Sequence, residues 1–306
     1  MTLYICKRVA QLVPLLLIIA FVVFAAMQMA PGDPATLLLG QNASPAEIAK
    51  LDHQLGLDRS LVSQYFTFVG HALQGDLGAS YRSGRDVVGE LGRTVPVSGT
   101  LAMTAMVLAV LVGVSVGILT AVKQYSWIDN VVRVGVLALV SMPVFWLAIL
   151  LIIGFAVKLP IFPAFGWGTY GHLVLPAVAL STYPLAVITR LTRSSMLEVL
   201  GSDYVRTARA AGMPERVVVL KYALKNALGP VLTVIGLQFG ALMGGAVLTE
   251  TVFGIPGLGR LVVTAIEGRD YPIVRGAVLV GTVVFVLINL IVDVLYRWVD
   301  PRQRGV

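Results

Sequence analysis

Six stretches of this chain contain no Asp, Glu, Lys or Arg: 9–29, 97–122, 134–157, 172–189, 228–249 and 276–292. Five of them are 18 residues or longer, and the last continues past Asp293 to Tyr296. The hydrocarbon core of a bilayer is about 30 Å thick and needs about 20 apolar helical residues to cross it. Backbone groups in lipid must find partners inside their own segment, so stretches of this kind are helices. The reading is an all-α membrane protein with six transmembrane helices, whose work is done within or across a membrane.

Composition agrees, with 57% hydrophobic and 13% charged residues among 306. A net charge of +7 suits a nucleic-acid binder, but no Lys/Arg-rich run with interleaved aromatics is present, so nucleic acid is not expected as a partner. Membrane topology explains the excess better. With the N-terminus inside, cytoplasmic segments hold 14 of the 23 basic residues, while the outer segment has five basic against seven acidic ones. The positive-inside rule therefore puts both termini in the cytoplasm. Cys6 is the single cysteine, permits no internal disulfide, and reads as a small hydrophobe at a helix entrance. Lys7 and Arg8 before an apolar run imitate a signal peptide, but 21 residues exceed the usual core of one, so an uncleaved anchor is expected.

These features divide the chain into an N-terminal transmembrane helix (1–30), an extracytoplasmic helical segment (31–96), a five-helix core (97–300) and a cytoplasmic tail (301–306). In the outer segment Ser44-Pro45-Ala46-Glu47 has capping-box spacing with proline at the first helical position, and Gly56 is a plausible stop. A second helix is expected from Ser60 to Gln74. The segment is too short to bury much core of its own and reads as a small cap. Pro176 and Pro184 are expected to bend the fourth span. Gly236, Gly240 and Gly244 share one face of the fifth span, and Gly113 and Gly117 repeat the device in the second. The spacing does not say whether the helix accepted there belongs to the same subunit or to a partner.

The longest cytoplasmic loop, 190–227, has seven basic and three acidic residues. Ser202 is placed to cap a helix with Asp203 in its first turn, which stops at Gly212, and Pro214 opens a second helix. Tyr204, Ala208 and Ala211 fall on one face, with Arg206 and Arg209 together on another. Such a helix either presses a small-residue face into a soluble partner or lies on anionic lipid.

Here the sequence resembles a known family. Asp203-Tyr204-Val205-Arg206-Thr207-Ala208-Arg209-Ala210-Ala211-Gly212 is similar to the coupling motif of membrane subunits of ATP-binding-cassette importers, in their dipeptide, oligopeptide, glutathione and nickel branch. Pro31-Gly32-Asp33-Pro34, Gln74-Gly75-Asp76-Leu77-Gly78 and Arg190-Leu191-Thr192-Arg193-Ser194-Ser195 match in order and spacing. So do Phe253-Gly254-Ile255-Pro256-Gly257-Leu258-Gly259-Arg260, Arg269-Asp270-Tyr271-Pro272, Asn289-Leu290-Ile291-Val292-Asp293 and Asp300-Pro301-Arg302. Arg206-Thr207-Ala208 stands where the wider importer motif has Glu-Ala-Ala, and Lys225 where that motif has proline.

The resemblance implies a type I importer permease fold in a bacterial-type inner membrane. It implies a second permease subunit, two cytoplasmic ATPases that bind ATP and Mg, and an extracytoplasmic solute-binding protein. It assigns ATPase coupling to Asp203, Tyr204, Arg206, Ala208, Arg209, Ala211 and Gly212. Peptides or glutathione are the implied cargo, with a nickel chelate as the alternative.

The residues themselves fit that division of labour. No Gly-x-x-x-x-Gly-Lys-[Ser/Thr] loop is present, so the chain lacks the usual nucleotide cradle and is expected to bind no cofactor. His53, His71 and His172 form no His-Glu-x-x-His pattern, so neither a metal site nor a catalytic centre is expected. A secondary transporter or channel is the rival reading, but such proteins usually carry ionisable groups at mid-membrane depth, and these six stretches have none. Gln238 and Glu250 are candidates for the translocation path, and an interface-anchoring role for Glu250 is equally open. Asp293 sits four residues from both Asn289 and Arg297 and pairs most simply with Arg297.

Overall fold

A computed structural model describes residues 2–29, 34–40 and 43–299. The side-chain surroundings of 2–13, 28–29, 34, 37, 244–245 and 292–299 lie outside that description, and with them Cys6, Gly244, Asp293 and Arg297. The motifs at 31–33 and 300–302 lie outside it too.

The described residues are helical nearly throughout, and they fall into two compact units, Met1–Ser98 with Pro256–Val286, and Gly99–Ile255 with Leu287–Val306. Helices α1 (Thr2–Met29), α2 (Pro34–Leu39), α3 (Pro45–Leu55) and α4 (Leu61–Leu73) belong to the first unit. The capping box forms as expected. Ser44 Oγ accepts from the Glu47 N–H, and the Glu47 carboxylate accepts from the Ser44 N–H at 2.8 Å. That backbone donor, with the Ser44 hydroxyl, holds the Glu47 carboxyl below the usual carboxylate range. Gly56 closes α3 with φ 68°, and Ser60 and Gln74 flank α4.

The outer segment does not make its core alone. Leu77, Val87 and Leu91 are buried with Leu258 and Ala265 of α12 (Leu258–Glu267) and with Ile273, Val274 and Ala277 of α13 (Tyr271–Val299). Two motifs that are far apart in sequence meet here. The buried Asp270 accepts hydrogen bonds from the Ser80 hydroxyl and from the Tyr81 N–H (3.0 Å), pinning the turn after Gly78. Helix α5 (Val87–Val122) starts well before its charge-free stretch, because Asp86 caps it, accepting from the Gly89 N–H at 2.8 Å.

In the second unit, α8 (Tyr170–Leu200) is the element on which the others pack, including α6 (Trp127–Ser141), α7 (Val144–Leu151) and α11 (Leu224–Phe253). It runs through Pro176 and Pro184 as one unbroken helix. The third apolar stretch is not a single rod. It breaks at Met142-Pro143, and the segments Trp127–Ser141 and Val144–Lys158 meet at 104°. Pro143 supplies no N–H and pushes Met142 into extended backbone (φ −88°, ψ 123°), which ends α6. Beyond α7, Ile152–Lys158 continues as π-helix, and α11 is likewise entered through α10 (Glu215–Val217) and π-helical Val218–Ala223. Among the described residues, four helices are long and apolar enough to cross a membrane, and the α6/α7 pair qualifies as one bent span. Of α1, Pro14–Met27 registers as a shorter apolar helix.

The glycine face of α5 accepts a helix of this same chain. A Cβ at Gly113 would lie 3.0 Å from the Leu185 carbonyl, and one at Gly117 only 2.6 Å from Thr192 Cβ and 2.8 Å from the Thr189 carbonyl. Gly236 and Gly240 are also buried. Gly117→Ala should therefore destabilise the purified protein by about 1–3 kcal/mol through overpacking. Gly135, with open space around it, provides the control, and Gly135→Ala should leave the melting temperature unchanged or slightly raised. Equal melting temperatures for the two variants would mean that the α5–α8 approach is looser than described.

Candidate functional site

The 190–227 loop folds into a short helix held between two ties. Helix α9 (Asp203–Ala210) begins after Ser202, whose backbone is extended as an N-cap requires. Its side chain does not cap, however. Ser202 Oγ donates instead to the Val199 carbonyl at 2.6 Å, so the residue serves the end of α8 rather than the start of α9. Ala211 closes the helix and Gly212 follows at φ 74°, the left-handed conformation that a reversal into the next helix needs. Pro214 then stands as the N-cap of α10, one position earlier than expected.

Which face of α9 turns inward is decided by its one large aliphatic residue. Val205 is fully buried against Val218, and Ala208, one turn on at i+3, is carried in with it at 6% exposure. The expected Tyr204–Ala208–Ala211 stripe is thus split. Ala208 belongs to the internal core, while Asp203, Tyr204, Arg206, Thr207, Arg209, Ala210 and Ala211 remain exposed. Tyr204 and Ala211 lie about a quarter-turn from the Val205–Ala208 direction, so both ends of the stripe stay exposed.

Two polar contacts fix the exposed face. Asn226 Nδ2 donates to the Tyr204 hydroxyl at 3.0 Å. Arg209 grips Glu215 in a two-point pair (3.1 and 2.7 Å) that spans the Gly212 turn, and this partner raises the Arg209 pKa. The Asp203–Arg206 pair is solvent-exposed at 3.6 Å and adds little.

A third tie lies outside the loop. Asp129, near the start of α6, is wholly buried and receives Arg193 Nε and Nη2 of α8 at 2.8 Å each. The Tyr125 N–H donates to the same carboxylate at 3.0 Å, and Arg133 stands 3.7 Å away. Tyr125 adopts φ 61° to present that N–H, and Ser126 Oγ accepts from the Asp129 N–H. This clamp binds the short α5–α6 turn to the last turns of α8, just ahead of α9. In the sequence Arg193 stands within the Arg190–Ser195 motif, which does not point to Asp129. The available signal was Ser126-x-x-Asp129, a cap that brings a lone carboxylate into an otherwise basic turn.

The path candidates separate. Gln238 is half-buried on α11, while Glu250 is fully buried and engaged within the chain, so it is not presented to an open path in this structure.

Removing one member of a buried ion pair strands the other, at a cost of about 3–5 kcal/mol. Arg193 keeps some exposure, which places this pair at or below the lower end of that range. Asp129→Ala should lower the melting temperature sharply, and Asp129→Leu combined with Arg193→Met should recover much of the loss. A double variant no better than the single one would show that the clamp works through packing rather than charge.

Comparison with known proteins gives a consistent picture. The family described as binding-protein-dependent transport system inner membrane component matches residues 113–305, and its N-terminal companion matches residues 1–104. The dipeptide transport system permease protein DppB of Alkalihalophilus pseudofirmus is 43% identical, covering 98% of this chain and 99% of its own. The glutathione transport system permease protein GsiC of Salmonella choleraesuis is 44% identical, with 98% of each chain covered. Among solved structures, a chain of the inward-facing MetNI methionine ABC transporter aligns with a TM-score of 0.59 at 21% identity, over 69% of this chain and 96% of that one. An amino acid ABC transporter gives 0.51 at 15% identity, over 70% and 94%. Those two likenesses are of fold.

Proposed function

The chain belongs to the inner membrane components of binding-protein-dependent transport systems, and from that premise we propose that it passes small peptides, of the dipeptide or glutathione kind. It is a multi-pass permease subunit of an ABC importer. Near-complete coverage at above 40% identity by both dipeptide and glutathione permeases supports the cargo class.

In this reading a second permease completes the path, a solute-binding protein delivers the peptide from outside, and two cytoplasmic ATPases bind ATP and Mg and supply the energy. Both termini and the 190–227 loop face the cytoplasm. The observation that carries the coupling role is the build of α9. Its inner face is anchored by Val205 and Ala208, its ends are tied through Tyr204 and Arg209, and its outer face, with Thr207 and Ala211, stays uncovered. A push on that face from a closing ATPase pair is passed to α8 and α11 with little slack. The Asp129–Arg193 clamp carries it on to α5 and α6.

The outer-face substitution and the inner-face substitution should fail differently. Ala211→Trp should melt like the wild type but co-purify with less ATPase, its affinity reduced by about tenfold or more, as for a central interface residue. Ala208→Trp should instead lower the melting temperature, since it overpacks the Val205–Val218 contact. Full ATPase retention and full stimulated turnover by Ala211→Trp would show that this face does not dock the ATPase.

Topology is checked separately in a Cys6→Ser background. A cysteine replacing Ser44 should react with an impermeant maleimide in intact cells, and one replacing Ser202 only after permeabilisation. The reverse pattern would place α9 beyond the reach of any cytoplasmic ATPase.

A further inference from the structure

Arg275 lies one turn into α13, and it lines an open cavity of about 240 Å³ within the first unit. A guanidinium held away from water is normally matched by a carboxylate. This one is not. Among the described residues it pairs with no acid and donates no hydrogen bond, and its Nε is buried without a partner. Two aromatic rings occupy its surroundings instead, with the Arg275 Cζ 3.6 Å from the Phe24 ring centroid and 5.6 Å from that of Tyr271. Stacking engages the flat face of a guanidinium and leaves its N–H edge free, the geometry in which it takes a planar carboxylate at two points.

The nearby acids are already spent. Asp270 is held by Ser80 and the Tyr81 N–H. Asp76, also on the cavity wall, accepts from the Gly78 N–H and stands 3.6 Å from His71 Nδ1. Arg59 adds a second cation to the same wall. Burial pushes the Tyr81 phenol up, so this hydroxyl on the wall remains a neutral donor. Phe68 and Leu77 give the cavity an apolar side beside these donors.

The geometry points to this cavity as a binding site for the α-carboxylate of a small peptide, with Arg275 as its two-point donor. The ligand class rests on the peptide reading above. The carboxylate requirement rests on a guanidinium that no acid among the described residues pairs. The apolar wall of Phe68 and Leu77 gives room for a short side chain.

A cysteine replacing Thr67, on the cavity wall, in the Cys6→Ser background reports occupancy by its rate of maleimide labelling. The purified transporter without its binding protein is used, so that protein's own selectivity does not enter. Dialanine should protect the cysteine, and dialanine amide, which lacks the anionic carboxylate, should need about tenfold more for the same protection, as expected for loss of a charge-assisted bond. Arg275→Gln should abolish the difference between the two. Arg275→Lys keeps charge but not the two-point fork, and should retain folding while raising the protecting concentration of dialanine by about tenfold.

Equal protection by dialanine and its amide, or protection by neither, overturns the proposal with no variant required. Protection by acetate but not by dialanine also overturns it, leaving an anion site too small for a peptide. Dialanine uptake by the complete transporter with its binding protein, measured alongside in proteoliposomes, reports the peptide reading independently of this cavity.

Discussion

A backbone inside hydrocarbon has no water to turn to, and that constraint governs where this chain is allowed to be irregular. The side-chain hydroxyls along the long helices obey it as well. Thr120 donates to the Val116 carbonyl, Thr182 to Ala179 and Thr189 to Leu185, each closing a bond within its own helix. Departures from regular helix occur where something replaces the lost bond or where the chain turns. The break before Pro143 falls at a residue that had no N–H to lose. The π-helical stretches at Ile152–Lys158 and Val218–Ala223 keep every turn bonded while changing its pitch. With main-chain needs met internally, helix-to-helix affinity must come from close packing, since lipid tails are as apolar as leucine. The bare backbone at Gly113 and Gly117, pressed on the Leu185 and Thr189 carbonyls and on Thr192, is how α5 and α8 obtain it.

Features that depend on neighbours in sequence were legible from it. Ser44, Pro45 and Glu47 lie within one turn, so the box that starts α3 needs no tertiary information, and Gly56 at its other end is as local. The apolar stretches followed from solvent physics alone. The break in the third stretch was harder to read, although Pro143 was visible, because a proline inside an apolar run is compatible with a bent helix or with two. Pro176 and Pro184 sit inside an unbroken α8, and Pro143 ends α6. What separates them is packing: α8 is covered on several sides and so held helical, whereas Met142-Pro143 lies among exposed residues.

The site was legible in position and not in orientation. Helix α9 lies where the motif placed it, with Gly212 in the left-handed region at its end. Its inward face was misjudged because a count of small residues ignores what each one buries. Val205 removes far more apolar area from water than any alanine, so it fixes the rotation of the helix, and Ala208 follows it inward. The Asp129–Arg193 clamp was illegible for another reason. Its partners are 64 residues apart, and only the fold brings an acidic cap and a basic helix end together. The Asp270 ties to Ser80 and Tyr81 bridge about 190 residues in the same way, giving two separate motifs one physical purpose.

These long-range polar ties share a design. Each joins a turn to a long helix, and each uses a carboxylate that a backbone N–H also holds, Tyr125 for Asp129 and Tyr81 for Asp270. A charge held by main chain as well as side chain cannot swing away without breaking the turn itself, so the tie transmits displacement rather than absorbing it. In the proposed coupling role, a subunit driven from one end needs joints of that kind. Apolar helix contacts slide at small cost, whereas a two-point ion pair is lost within an ångström or so of misplacement. Next to α9 that joint is the Asp129–Arg193 pair, and the Gly212 turn, the one left-handed position in the 190–227 loop, is where the chain can reverse without side-chain strain. Arg275 breaks this pattern. It is half-buried and stacked as a structural arginine is, but among the described residues no carboxylate completes it, so on the proposed reading its charge serves something that arrives from outside.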